Sequence, residues 1–132
     1  MKAAVLICLG IYPGIVGARL PASEFTLAWT HSIEKVRWEE DWRAVDGRLA
    51  AVEARVQGGG AGMEPPADAR LGPDGWFRYM PKIGPLDHLS LSRRGFAADY
   101  DICWNGACKP MAVVVAPGAD QVTDIFVCPA AD

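Results

Sequence analysis

Histidine occurs only twice in these 132 residues, at His31 and His88, and neither belongs to an HExxH pair. A zinc hydrolase built on that helical motif is therefore excluded. No GxSxG elbow is present, so the serine-hydrolase arrangement has no anchor in the chain. No twelve-residue EF-hand loop occurs either. The glycine run Gly58-Gly59-Gly60-Ala61-Gly62 is followed by Met63-Glu64-Pro65-Pro66, not by Lys-Ser/Thr and a helix, which removes the phosphate-cradling reading. Basic residues are not in excess: 13 Lys and Arg stand against 16 Asp and Glu, for a net charge of −3. A general nucleic-acid binder needs a basic stripe to meet phosphates, so nucleic acid is not expected as a partner. Repeats, heptads, low-complexity tracts and convincing amphipathic helices are also missing.

The N-terminal stretch MKAAVLICLGIYPGIVGARLPAS reads as an export signal. Lys2 supplies the positive end, Ala3 to Val16 a short apolar stretch, and Val16-Gly17-Ala18 the small residues of a cleavage site. A membrane-spanning helix needs about 20 apolar residues, and Pro13-Gly14 interrupts this run. Residues 1–18 are thus expected to be a signal peptide, or an anchor through residues 3–16 if left uncleaved. Residues 19–132 then form one domain, of ordinary size for a single core. Cys8 reads as a small apolar residue of the signal. Cleavage leaves Cys103, Cys108 and Cys128 in an oxidising compartment, which predicts one disulfide and one odd thiol.

The remaining chain alternates in the manner of strands. Phe25, Leu27, Trp29 and His31 share one face of a strand over 25–32. Val36, Trp38, Glu40, Trp42 and Ala44 share a face of the next, over 36–45. Asp46-Gly47 suits a type I′ turn, which needs positive φ at both central positions. Residues 48–57 then return antiparallel, with Trp42 facing Ala51, Glu40 facing Glu53 and Trp38 facing Arg55. This register stacks Arg55 on Trp38, but it also opposes two like charges. Arg55, a bound cation or a bulge must relieve them. Further strands are expected at 76–80, 86–92 and 122–128, with a turn at Pro73-Asp74-Gly75.

Asn105-Gly106 marks a second type I′ hairpin. Its register pairs Trp104 with Ala107, Cys103 with Cys108 and Asp101 with Pro110. The cysteines fall at a non-hydrogen-bonded pair, where Cα atoms approach to about 4.5 Å. That distance suits a disulfide. The pattern as a whole predicts an all-β fold, a small antiparallel sandwich or open barrel of about seven short strands behind the signal segment.

Several polar groups invite functional readings. His31 and Ser32 are adjacent, but neighbouring strand residues face opposite sides of a sheet, so they do not form a dyad. His31 is expected to be a buried strand-end histidine, with Glu40 as its nearest carboxylate partner. Glu34, Glu39, Glu40, Asp41 and Glu53 lack metal-ligand grammar and read as a solvated acidic face. One of Gly60 and Gly62 is expected at positive φ, because the chain must turn sharply into Pro65-Pro66. The five tryptophans read as core, with a subset available as a binding rim.

The order FTLxWxHSI, WEEDW and GGGAGMEPP, followed by DGWFRY, ICWNGAC and a closing VC, resembles the bacterial and archaeal domain of unknown function 1850 family. The resemblance covers nearly all of residues 19–132. Its recurring residues here are His31, Ser32, Glu40, Trp42, Gly60, Gly62 and Met63, which it marks as a ligand- or partner-binding set. It implies a small exported or anchored protein, periplasmic or extracytoplasmic, encoded beside tripartite ATP-independent periplasmic (TRAP) transporters of the TAXI type. The implied partner is a solute-binding or membrane subunit of such a transporter. No catalytic residue, cofactor or metal is expected. The alternatives are a small-ligand or cation-binding module using His31, Glu40 and the Gly58–Gly62 loop, and a hydrolase with His31 as general base.

Overall fold

The computed structural model describes residues 5–30, 36–58, 66–93 and 99–129. Over these the regular secondary structure is nearly all strand, arranged as two antiparallel sheets that do not close into a barrel. The strands are β1 (Val5–Ile11), β2 (Ile15–Leu20), β3 (Glu24–Thr30), β4 (Arg37–Val45), β5 (Arg48–Gln57), β6 (Arg70–Leu71), β7 (Trp76–Tyr79), β8 (Leu89–Ser92), β9 (Asp101–Trp104), β10 (Ala107–Pro110) and β11 (Val122–Pro129). One helical turn, α1 (Met111–Val114), follows β10 directly. The smaller sheet has the order β2-β1-β11-β8 and the larger β10-β9-β3-β4-β5-β7-β6. Ile7 and Leu9 of the first and Leu27, Trp42, Leu49 and Ile102 of the second meet in one core, each at most 2% exposed.

The apolar run read as a removable signal, or as an anchor through residues 3–16, is used here as sheet. Val5–Ile11 is an interior strand of the smaller sheet, hydrogen-bonded to β11 on one side and β2 on the other. Ile7, Cys8 and Leu9 are fully buried. Cleavage after Ala18 would remove all of β1 and leave β2 only Arg19 and Leu20. Among the described residues no helix is long and apolar enough to cross a membrane. A short apolar stretch looks the same to a hydropathy argument whether it enters a translocation channel or a buried strand, and in this structure it is paired as a strand.

Two cysteine expectations change with it. Cys8 is not a spare apolar residue and Cys128 is not an odd thiol, because the two form a disulfide spanning 120 positions, with Cα atoms 6.0 Å apart. They sit diagonally across the β1–β11 pair, where Leu6 faces Cys128 and Cys8 faces Phe126. The second disulfide, Cys103–Cys108, occupies the register expected from its turn, with Cα atoms 3.9 Å apart. Asn105 and Gly106 both have positive φ, 50° and 84°, as a type I′ turn requires.

The β4–β5 hairpin starts as its turn dictates, with Asp46 and Gly47 at φ 51° and 78° and Trp42 facing Ala51. The register then slips by one residue between Asp41 and Trp42. Beyond this bulge Glu40 faces Ala54, Asp41 faces Glu53, Glu39 faces Arg55 and Trp38 faces Val56. Arg55 therefore does not lie on Trp38. The slip carries Glu53 and Arg55 to the outer face, while Glu40 stays inward opposite a small alanine. The hairpin at 99–115 also ends earlier than its apolar run suggests. Pro110 closes β10, and the Met111 N–H returns to the Tyr100 carbonyl at 2.8 Å as α1 begins.

Candidate functional site

Strand β4 is the middle strand of the larger sheet, with three strands on either side. Its two faces have opposite electrostatic characters. Outward, Arg55 donates to Glu39 at 2.7 Å, to Asp41 at 2.9 and 3.0 Å, and to Glu53 at 3.2 Å. Arg37 adds bonds to Glu39 at 2.9 Å and Asp101 at 3.2 Å. The Thr26 hydroxyl donates to Asp41 at 2.6 Å. Burial alone would raise the Glu39 and Asp41 carboxyls. The bonds from Arg37 and Arg55 to Glu39, and from Arg55 and Thr26 to Asp41, outweigh it and hold both below their ordinary range. The face expected to be solvated and acidic is instead an interlocked ion-pair lattice centred on Arg55. An open groove of about 450 Å³ runs beside it, reaching Trp104, Asn105 and the Cys103–Cys108 bridge.

Inward, the pairing registers set out three rows across the sheet. Phe25, Trp42 and Ala51 form one row. Ile102, Leu27, Glu40, Ala54 and Tyr79 form the next. Trp29, Trp38, Val56 and Phe77 form the third. Glu40 is the one charged residue in these rows. Its described hydrogen bond comes from Trp42 Nε1 at 3.2 Å, a residue two positions on and therefore on the same face. Burial pushes the Glu40 carboxyl above the ordinary glutamate range, and the Trp42 bond offsets that only in part. Burial, and after it the Glu40 charge, raises the Tyr79 phenol, and burial, then Asp99 and Glu40, raises that of Tyr100. Trp29 and Trp38 stack with centroids 6.2 Å apart, and Tyr100 meets Trp29 edge-on at 6.1 Å. Trp38 Nε1 is buried and has no hydrogen-bond partner among the described residues.

Of the residues singled out in the sequence, Glu40 and Trp42 are brought together here, bonded to each other. His31, Ser32, Gly60, Gly62 and Met63 lie outside the described residues, as does the expected Glu40–His31 contact. Gly58, at the start of the glycine run, packs so closely that a Cβ would meet the Gly75 carbonyl at 2.9 Å. Tyr79 and Tyr100 were not expected near Glu40. The bulge that brings Tyr79 into its row cannot be placed from alternation, although the clash of Glu40 with Glu53 signalled that some relief was needed.

A half-buried carboxylate with no ion-pair partner among the described residues is costly unless something compensates it, and the sign of its effect on stability follows. With the folded value raised, the folded chain holds the proton more tightly than the unfolded one. Stability is therefore fullest below the ordinary value of 4.5 and declines as pH rises through the raised value. Glu40→Gln keeps an oxygen for Trp42 Nε1 and removes the charge. Its stability relative to the parent should rise from mildly acidic pH to neutrality, measured by urea unfolding at a series of pH values. A difference that stays constant across that range would contradict the assignment.

A comparison with family models matches residues 25–111 to the family described as Domain of unknown function (DUF1850). No curated protein and no solved structure matches the chain. The matched span contains β4 to β10 and all of β3 but Glu24, and with them both faces of β4 and nearly all of the larger sheet. The chain belongs to the DUF1850 family.

Proposed function

We propose that this is an exported, non-catalytic accessory protein of a tripartite ATP-independent periplasmic transporter of the TAXI type. It acts by binding, at the inward face of its larger sheet, and not by turnover. The observation that carries the binding reading is Glu40, a carboxylate without an ion-pair partner among the described residues, set in aromatic rows. Local rules of folding are broken at functional sites more often than elsewhere, and a charge kept in an apolar row is such a breach. Two disulfides support an oxidising compartment, since cytosolic thiols are kept reduced. The link to a transporter rests on the family resemblance. His31, Ser32 and the Gly60–Gly62 segment are proposed to serve the same binding role.

Affinity purification of the tagged, oxidised chain from its own cells tests the partner. The neighbouring solute-binding or membrane subunit should co-elute, and deletion of the gene should lower uptake of the transported solute. Separate elution together with unchanged uptake would overturn the reading.

A further inference from the structure

We propose that Glu40, Trp38 and the rings beside them form a site for a small organic cation that carries its own hydrogen-bond acceptor. This rests on the binding reading above and names the class of ligand. The two faces of β4 make the argument. Outward, Glu39 and Asp41 share Arg55 at 2.7–3.0 Å. Inward, one residue away along the same strand, Glu40 has an indole N–H and no guanidinium or ammonium among the described residues. Among the described residues the chain thus places arginines on one side of the sheet and no cation beside the carboxylate on the other. A cation is what that carboxylate lacks.

The surroundings select the kind of cation. Calcium takes six to eight oxygen ligands and magnesium six. Among the described residues no three acidic, histidine or cysteine side chains gather as a metal cage. What does gather is aromatic: Trp38 and Trp42 flank Glu40 along the strand, and Tyr79 lies in its row beyond Ala54. The stacked Trp29–Trp38 pair extends this wall. Ring faces attract ammonium and guanidinium groups, more strongly where water is thin. Trp29, Trp38, Glu40, Tyr79 and Tyr100 are all half-buried, so the cluster is neither sealed nor fully solvated. Trp38 supplies a second, independent indication. Its Nε1 is a buried donor without a partner among the described residues, whereas buried donors are normally satisfied. A carbonyl or carboxylate on the ligand would satisfy it.

Calorimetric titration of the full, oxidised chain with glycine betaine and with tetramethylammonium chloride separates the two features, with sodium acetate as the anion control. Saturable binding of both ammonium compounds is expected, betaine the tighter, with none of acetate. Glu40→Gln should weaken both at least tenfold. Trp38→Phe, which keeps a ring and removes the N–H, should bring betaine down towards tetramethylammonium. Absence of saturable binding of either compound to folded parent protein would overturn the proposal. So would equal affinities for parent and Glu40→Gln. If neither ammonium binds while the transporter subunit still co-elutes, the ligand class falls and the accessory reading stands. If betaine binds and no subunit co-elutes, the cation site stands and the accessory reading falls.

Discussion

Cys8→Ala is expected to destabilise the oxidised protein by about 5 kcal/mol, whereas Cys103→Ala should cost only about 2 kcal/mol, on the chain-entropy relation for loop closure. The difference comes from separation: Cys8 and Cys128 are 120 positions apart, Cys103 and Cys108 only 5. The longer loop removes far more freedom from the unfolded chain. Alanine is the suitable replacement because Cys8 is fully buried and serine would add an unsatisfied hydroxyl. A loss of about 5 kcal/mol is comparable to the whole stability of many small domains. The variant should therefore unfold at much lower urea, and the parent, which loses both bridges on reduction, should unfold lower still once reduced. Peptide mapping of the purified, oxidised parent under non-reducing conditions should recover Cys8 linked to Cys128. Equal urea midpoints for parent and Cys8→Ala, or an exported chain that begins at Arg19, would refute this account of the N-terminal strands.

That bond also marks the boundary of what the sequence made legible. Turns with strict backbone demands were readable: Asp46-Gly47 and Asn105-Gly106 each fixed a hairpin, and the second placed Cys103 against Cys108. Face alternation was readable in part, since Phe25 and Leu27 are buried as the pattern requires, while Ala28 on the other face is buried too. What depended on distant partners was not. Ile7-Cys8-Leu9 became core only because β11, more than 110 residues later, lies beside it. The bulge opposite Asp41 follows from summed side-chain interactions, and no turn residue announces it. At the site, Glu40 and Trp42 were legible as one face of a strand. That Arg55 pairs with Glu39 and Asp41 and not with Glu40 was not, because it depends on which side of the slipped register Arg55 falls. A one-residue slip reverses the face of every later side chain, and here it separates a lattice of ion pairs from a lone carboxylate.

Arg93 is the largest polar element that escaped sequence reasoning, and its removal gives the second large effect. Its side chain is fully buried, 0% exposed, beyond the end of β8. The guanidinium holds both oxygens of Asp99, with Nε to Oδ1 at 3.0 Å. Nη1 also donates to the Val115 carbonyl at 2.8 Å and to Thr123 Oγ1 at 3.0 Å. One side chain thus ties the entry to β9, the segment after α1 and the core face of β11. Arg93→Met fills a similar volume but leaves the Val115 carbonyl and Thr123 without this donor, and Asp99 without its cation. Asp99 is open to solvent on one side, so the cost comes mainly from the Val115 carbonyl and the buried Thr123 hydroxyl left without their donor. A buried group left unsatisfied costs about 1–3 kcal/mol, and a loss of that size is expected in urea unfolding at neutral pH. The Arg93 bond is also the main cause of the lowered Asp99 carboxyl. Its contribution is present above the ordinary aspartate value and disappears as pH falls through the lowered one. The gap between parent and Arg93→Met should therefore narrow in acid. Arg93→Met combined with Asp99→Leu removes both charges, so the double variant should be more stable than additivity of the two single variants allows. Strict additivity, or a gap that does not change with pH, would show that Arg93 contributes through packing and not through its charge.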